Sequence, residues 1–223
     1  MATRQIRSAP KLSLRRFPIL GLAVFAGLLA SGGAVCQDQW TPVSAAPAIA
    51  ATPIWIQDPW SGDSVLTQVQ EPDFSLWNGK RIEDYRESLE EQTPPPLAVM
   101  TIPSLNIQVP VWNGTEEVNL NRGAGRVKGL ARIGEAGNLA ISSHRDGFFR
   151  GLKDIQMGDK IEIQTPRGME YFAVSDINIV DKEDTSPLQQ TEEEVLTLIT
   201  CYPFYFVGHA PKRYIVTASA VDR

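Results

Sequence analysis

The segment "VLTLITC" ends at Cys201, and "RYIVTASAV" begins at Arg213. Both are β-branched, apolar runs that read as strands. Eleven residues, "YPFYFVGHAPK", lie between them. If the two strands pair antiparallel, a thiol and a guanidinium flank one loop at one edge of a sheet. An arginine beside a thiol can lower the thiol pKa from about 8.5, and it can stabilise an oxyanion during acyl transfer. An imidazole in the same place can carry a proton to or from an amine. The chain has two histidines. His144 follows the apolar run "NLAISS" and so stands at a strand end, whereas His209 lies in the loop beside Cys201. Either could complete a Cys–His–Arg set, and the strand end gives His144 the better-fixed position. The aromatics of the loop, among them Tyr202 and Phe204, either wall a groove for an extended apolar peptide or fold back into the core.

Other chemistries find little support. A zinc site needs about four Cys, His or carboxylate ligands at tight spacing, and none are so grouped. "NRGAGRVKG" at 121–129 lacks the GK[ST] ending of a phosphate loop, and no GxSxG elbow is present. "NGT" at Asn113 matches a glycosylation acceptor, but an Asn-Gly turn accounts for it. No metal or other cofactor is expected. The net charge is −5, and residues 1–16 carry five basic and no acidic side chains. The remainder therefore holds 16 basic against 26 acidic residues, a poor match for a nucleic-acid backbone.

That basic tail (1–16) precedes "FPILGLAVFAGLLASGGAV", which at roughly 1.5 Å per residue spans about 28 Å, close to a bilayer's hydrocarbon thickness. Residues 17–36 read as an uncleaved transmembrane anchor. A cleaved signal peptide is the competing reading. The positive flank holds the N-terminus in the cytoplasm and places the rest outside it. Cys36 reads as a membrane-edge thiol, with lipid attachment as the lesser alternative because valine precedes it. With no disulfide framework, Cys201 is expected to be a free thiol.

Residues 37–75, rich in Pro, Ala, Ser and Thr, read as a stalk. "LWNGKRIEDYRESLEEQ" reads as an amphipathic helix with Ile82, Tyr85 and Leu89 on one face, stopped by "TPPP". From Leu97 short strand-like runs follow one another, and "TPRG" at 165–168 reads as a hairpin turn. Six to eight short strands without long helices predict a small closed or nearly closed β-barrel, and residues 76–223 form the expected catalytic domain.

"TLITC" followed by Arg213 resembles the sortase signature, Thr-Leu-x-Thr-Cys with a downstream arginine. "GAGRVKGLARIGEAGNLAISSHRDGFFRGL" is similar to that family's glycine-punctuated approach to its histidine. "HRD" followed by Phe149 and Arg150 looks most like class D sortases and the related Gram-negative group. The resemblance covers roughly residues 97–221. Ser142 and Ser143 stand where alanine or glycine is common, and Gly147 where threonine is common. The resemblance implies a mainly β, eight-stranded barrel and a membrane-anchored cysteine transpeptidase. Cys201 would attack the Thr–Gly amide of a Leu-Pro-x-Thr-Gly-like signal on a secreted protein, His144 would shuttle protons, and Arg213 would hold substrate and oxyanion. The acyl group would pass to an amine acceptor. Thr200 would line the acyl pocket, Asp146 would orient hydrogen bonds or be an ordinary turn aspartate, and Tyr202 and Phe204 would contact substrate. The expected place is the bacterial cytoplasmic membrane, with the domain in the periplasm or at the cell surface.

Other readings share the Cys/His chemistry. An L,D-transpeptidase would carry a Ser-x-Gly-Cys pattern, which is absent here. A cysteine protease would resolve the thioester with water. A non-catalytic envelope adaptor would need no reactive thiol.

Overall fold

The computed structural model describes residues 51–205 and 208–222. The basic tail, the anchor at 17–36, Cys36 and the first part of the stalk lie outside the described residues. Among the described residues no helix is long and apolar enough to cross a membrane.

Among the described residues ten strands follow in chain order. They are β1 (Ala51–Gln57), β2 (Ser64–Gln70), β3 (Ala98–Ile102), β4 (Ile107–Asn113), β5 (Ala124–Arg126), β6 (Asn138–Ser142), β7 (Lys160–Thr165), β8 (Gly168–Asp181), β9 (Val195–Tyr202) and β10 (Lys212–Ala220). Two helices join them, α1 (Gly79–Glu90) and α2 (Glu117–Arg122). Eight strands close a barrel in the order β10-β8-β7-β3-β4-β5-β6-β9. The β4–β5 and β6–β9 pairs are parallel, and the rest are antiparallel. The expected Pro166-Arg167 turn pairs Thr165 with Gly168.

Alternation decides what each strand buries, because successive side chains point to opposite faces. On β9, Leu196, Leu198 and Thr200 are buried, and Leu196 and Leu198 join the core inside the barrel with Ile141, Phe149, Ile163 and Phe172. Cys201 therefore faces outward, as does Arg213, whose neighbours Tyr214 and Val216 belong to the core.

Residues 51–70 differ from the stalk expected there: they form an antiparallel ribbon, β1 with β2. The alternation is present but thinned by polar residues. Ile56 and Val69 form a small cluster with Val99 of β3, while Trp55 and Leu66 pair on the outer side. Thr67 donates to Gln164 of β7 at 2.8 Å, and the turn residue Asp58 pairs with Arg167 at 3.3 Å. The ribbon thus packs on the barrel wall.

Helix α1 begins where Asn78 caps it, its side chain accepting from the Arg81 amide at 2.9 Å. Its buried face is one residue away from the one expected. Tyr85 packs in an aromatic cluster with Phe74, Trp77 and Phe148. Leu89 is 56% exposed, and Ser88 is buried instead, its hydroxyl donating to the Tyr85 carbonyl at 2.6 Å. The i, i+3 spacing of 85 and 88 sets this contact line.

The ribbon contact is testable. Ile56→Ala is expected to lower unfolding free energy by about 2–5 kcal/mol, the range for a fully buried Ile or Leu truncated to Ala. Urea denaturation of the two chains measures it; an unchanged midpoint would return 51–70 to the status of a linker.

Candidate active site

Strand β9 is paired on both edges. On one side Cys201 lies directly opposite Arg213. Both face outward, and the Cβ atoms of such a cross-strand pair are about 4.5–5.5 Å apart. On the other side β6 runs parallel, with Ser142 opposite Ile199. That is the last matched pair: His144 follows two residues past the end of β6, and Cys201 lies two residues past Ile199 on β9. Histidine, cysteine and arginine thus stand in a row across three adjacent strand ends. All three line one cleft of about 910 Å³, together with Arg81, Glu117 and Tyr205. Cys201 carries a free thiol.

The turn that carries His144 is held from beneath. Thr200 is 2% exposed, and its hydroxyl donates to the Ser143 carbonyl at 2.8 Å. It points into the barrel and does not line the cleft, so its role differs from the acyl-pocket contact expected of it. Alternation dictates this, because a residue next to an outward cysteine must face inward. The Ser143 hydroxyl donates in turn to the Gly123 carbonyl at 2.7 Å, which gives a buried serine its partner. Gly123 has no room for a side chain: a Cβ there would stand 2.4 Å from the Pro110 carbonyl oxygen. The glycines of "NRGAGR" serve this close backbone approach, with no phosphate loop around them. A Cβ on Gly125 would meet the Gly114 carbonyl at 2.2 Å.

The His144 ring is two-sided. Its Nε2 lies 3.2 Å from Glu117 Oε1 on α2. Burial, then the nearby Arg81 cation, hold the imidazole pKa below its ordinary value, against the opposing pull of Glu117 and Asp146. The environment thus favours the neutral imidazole more than water does. Asp146 is not an ordinary turn aspartate. Its Oδ1 pairs with Arg81 Nε at 3.1 Å, and its Oδ2 accepts from Asn78 Nδ2 at 3.1 Å. Burial opposes its charge, but Arg81, His144 and these hydrogen bonds keep its pKa below the usual carboxylate range. His209 lines the same cleft but is exposed.

The loop between β9 and β10 resolves the question of wall or core residue by residue. Phe204 is buried in the core, its ring 5.1 Å from Tyr214, and Tyr202 stacks on Tyr214 at 6.2 Å. Tyr202 is thus a support beneath the cleft and is absent from its lining; Phe204 reaches the cleft from that cluster. Tyr205, 73% exposed, is the aromatic wall, and the Arg150 guanidinium lies 4.7 Å from its ring centre. Phe206 and Val207 lie outside the described residues. The loop backbone is fastened by the histidine segment. Arg145 donates to the carbonyls of Pro203 at 3.1 Å and Gly208 at 2.8 Å, and Arg150 donates to that of Phe204. At the loop's end Arg213 Nη1 donates to the Lys212 carbonyl at 3.0 Å.

Sequence reasoning had no signal for Arg81 and Glu117, which reach the histidine turn from two helices, or for Asn121, which accepts from Arg81. The two arginines of "HRDGFFR" were visible but not their task. Among the described residues no group of three or more His, Cys, Asp or Glu is placed to hold a metal ion.

The arrangement can be compared with known proteins. A family model described as "Sortase domain" matches residues 100–221. The chain is 36% identical to Sortase D of Bacillus subtilis (strain 168) over 137 residues, which cover 61% of this chain and 69% of that one. It is 29% identical to Sortase A of Bacillus anthracis over 126 residues, 55% of this chain and 58% of that one. Among solved structures, the Clostridium perfringens Sortase D5 transpeptidase superposes with a TM-score of 0.53 at 26% identity, covering 63% of this chain and 89% of that one. A lid mutant of Sortase A from Corynebacterium diphtheriae gives a TM-score of 0.55 at 26% identity, covering 68% and 83%. The closed eight-stranded barrel, with the thiol, imidazole and guanidinium at adjacent strand ends, agrees with the family model that spans it: the chain belongs to the sortase family and is similar to its class D members.

Proposed function

We propose that this chain is a cysteine transpeptidase that cleaves a Leu-Pro-x-Thr-Gly-like sorting signal between Thr and Gly and joins the acyl part to an amine. The observation that carries the reading is the row His144–Cys201–Arg213 across three strand ends in one cleft. The neutral imidazole takes the Cys201 proton as sulfur attacks the Thr carbonyl carbon. The oxyanion that forms is stabilised by Arg213. The C–N bond then breaks, the imidazolium gives its proton to the leaving glycine amine, and a thioester remains. An incoming amine reverses these steps, with His144 taking its proton. Exposed Tyr205 offers an apolar wall to the bound peptide. Tethering by residues 17–36 would present the cleft on the outer side of the cytoplasmic membrane, to a secreted substrate and an envelope amine.

Mass spectrometry of the full-length protein incubated with a sorting peptide and an amine is the direct test. The expected product is the peptide–amine conjugate, with a thioester adduct on Cys201; Cys201→Ala should form neither. A product with water alone would make the chain a protease, and turnover by Cys201→Ala would exclude the thioester.

Two further outcomes are expected. Arg213→Lys should lower kcat/KM by about 10²–10³-fold, because an ammonium cannot reproduce a planar multi-donor fork. Unaltered kinetics would remove Arg213 from the site. The pH profile carries a sign. The folded pKa of His144 lies below about 6.5, so its base form persists below that pH. Activity should therefore persist to lower pH than an ordinary imidazole base allows, and fall as pH drops through the folded pKa. Comparing His144→Ala with His209→Ala on the same peptide identifies which imidazole acts.

A further inference from the structure

Helix α1 lies outside the segment that the family model matches, yet it reaches the turn that carries His144. Arg81 stands on its first turn with a side chain 13% exposed. Its Nε bonds Asp146 at 3.1 Å, two residues beyond His144, and its Nη1 bonds the Asn121 carboxamide oxygen on α2. Asn121 lies one helical turn after Glu117, so the two share a face of α2. Glu117 is the residue at His144 Nε2. One guanidinium therefore grips the turn that carries the imidazole and the helix that carries its carboxylate partner. Asn78 reinforces the grip by capping α1 and bonding the second oxygen of Asp146. The aromatic contact of Tyr85 and Trp77 with Phe148 seats α1 against the same segment.

We propose that Arg81 is a positioning residue for His144, acting through Asp146 and Asn121, and that α1 is thereby a working part of the transpeptidase site. The inference rests on His144 being the acting imidazole. The geometry assigns Arg81 two separable roles. Its fork fixes the relative placement of two segments, which only a planar, multi-donor group can do. Its charge is one of several facing the ring: Arg81 from α1, Glu117 from α2 and Asp146 from the histidine's own turn, with Cys201 and Arg213 across the cleft. Arg81 favours the neutral imidazole, whereas Glu117 and Asp146 favour the protonated form.

The two roles make opposite demands on substitutions. The experiment uses the full-length protein with His209→Gln, which leaves His144 as the single imidazole. NMR titration of that ring is followed alongside steady-state kinetics. Arg81→Met should raise the His144 midpoint and lower kcat on the order of 10- to 100-fold with KM nearly unchanged, as misplacement of a catalytic group does. Arg81→Lys keeps the charge but not the fork, so the midpoint should stay near the parent value while kcat still falls. Asp146→Asn removes a charge of the other sign and should move the midpoint down. A far-ultraviolet spectrum and an unfolding midpoint on each variant identify any that fails to fold, and Asp146→Asn then carries the test from the other side of the ion pair. An unmoved midpoint with parent kcat in Arg81→Met overturns the proposal. A rise in KM alone would make Arg81 a substrate-binding residue instead, which also overturns it. The titration needs no turnover, so it is read even if the chain proves not to be a transpeptidase. Activity surviving in His144→Ala would overturn the premise that His144 is the acting imidazole, whereas loss of the transpeptidase reading would appear as hydrolysis without a peptide–amine conjugate.

Discussion

Strand β9 is hydrogen-bonded along both edges, parallel to β6 and antiparallel to β10, and the geometry of the cleft depends on that double register. A slip of one residue against either neighbour would turn Cys201 into the core and Thr200 out of it. The register is pinned by burial: Leu196 and Leu198 have no solvent exposure, so neither can be moved to the outer face without a large loss of apolar contact. What places the thiol is therefore the packing of the barrel interior three and five residues upstream.

The interior also reaches the histidine. Thr200 and Ser143 form a buried relay from β9 to the end of β6 and on to Gly123, where α2 gives way to β5. Each hydroxyl satisfies a carbonyl that a turn would otherwise leave unpaired. Outside the barrel, Arg145 and Arg150 tie the His144 segment to the loop that follows Cys201. The imidazole and the thiol are thus coupled twice, through neutral hydrogen bonds beneath and charge-assisted ones above. Among the described residues Arg150 Nε is buried without a partner, a local cost that accompanies its contacts with Phe204 and Tyr205.

Much of this was legible in the chain. The strand-like runs from Leu97 onward, the Thr165–Gly168 turn and the antiparallel return from Cys201 to Arg213 follow from β-branched composition and turn residues. The helix at 79–90 was visible in the spacing of Ile82 and Tyr85 and in its proline stop. Three things were not legible. The ribbon at 51–70 carries Gln and Thr among its apolar positions, and its partner Val99 is remote in sequence, so the alternation reads as noise. The inward direction of Thr200 follows from parity, but only once Cys201 is known to face out. The contacts of Arg81 span 65 and 40 residues of chain, and nothing in local pattern marks an arginine on an exposed helix start as the partner of Asp146.

The parallel pairing of β6 with β9 has a temporal side. Between Asn138 and Val195, the first matched pair, lies the whole β7–β8 hairpin. Pairings so distant in sequence form late, because loop-closure entropy opposes them until the intervening structure exists. Cys201 and His144 are therefore strangers in a half-made chain. Arg213 meets Cys201 through a short antiparallel return, but the His144 turn reaches it only when β6 and β9 pair, so the closure of the barrel is also what completes the cleft.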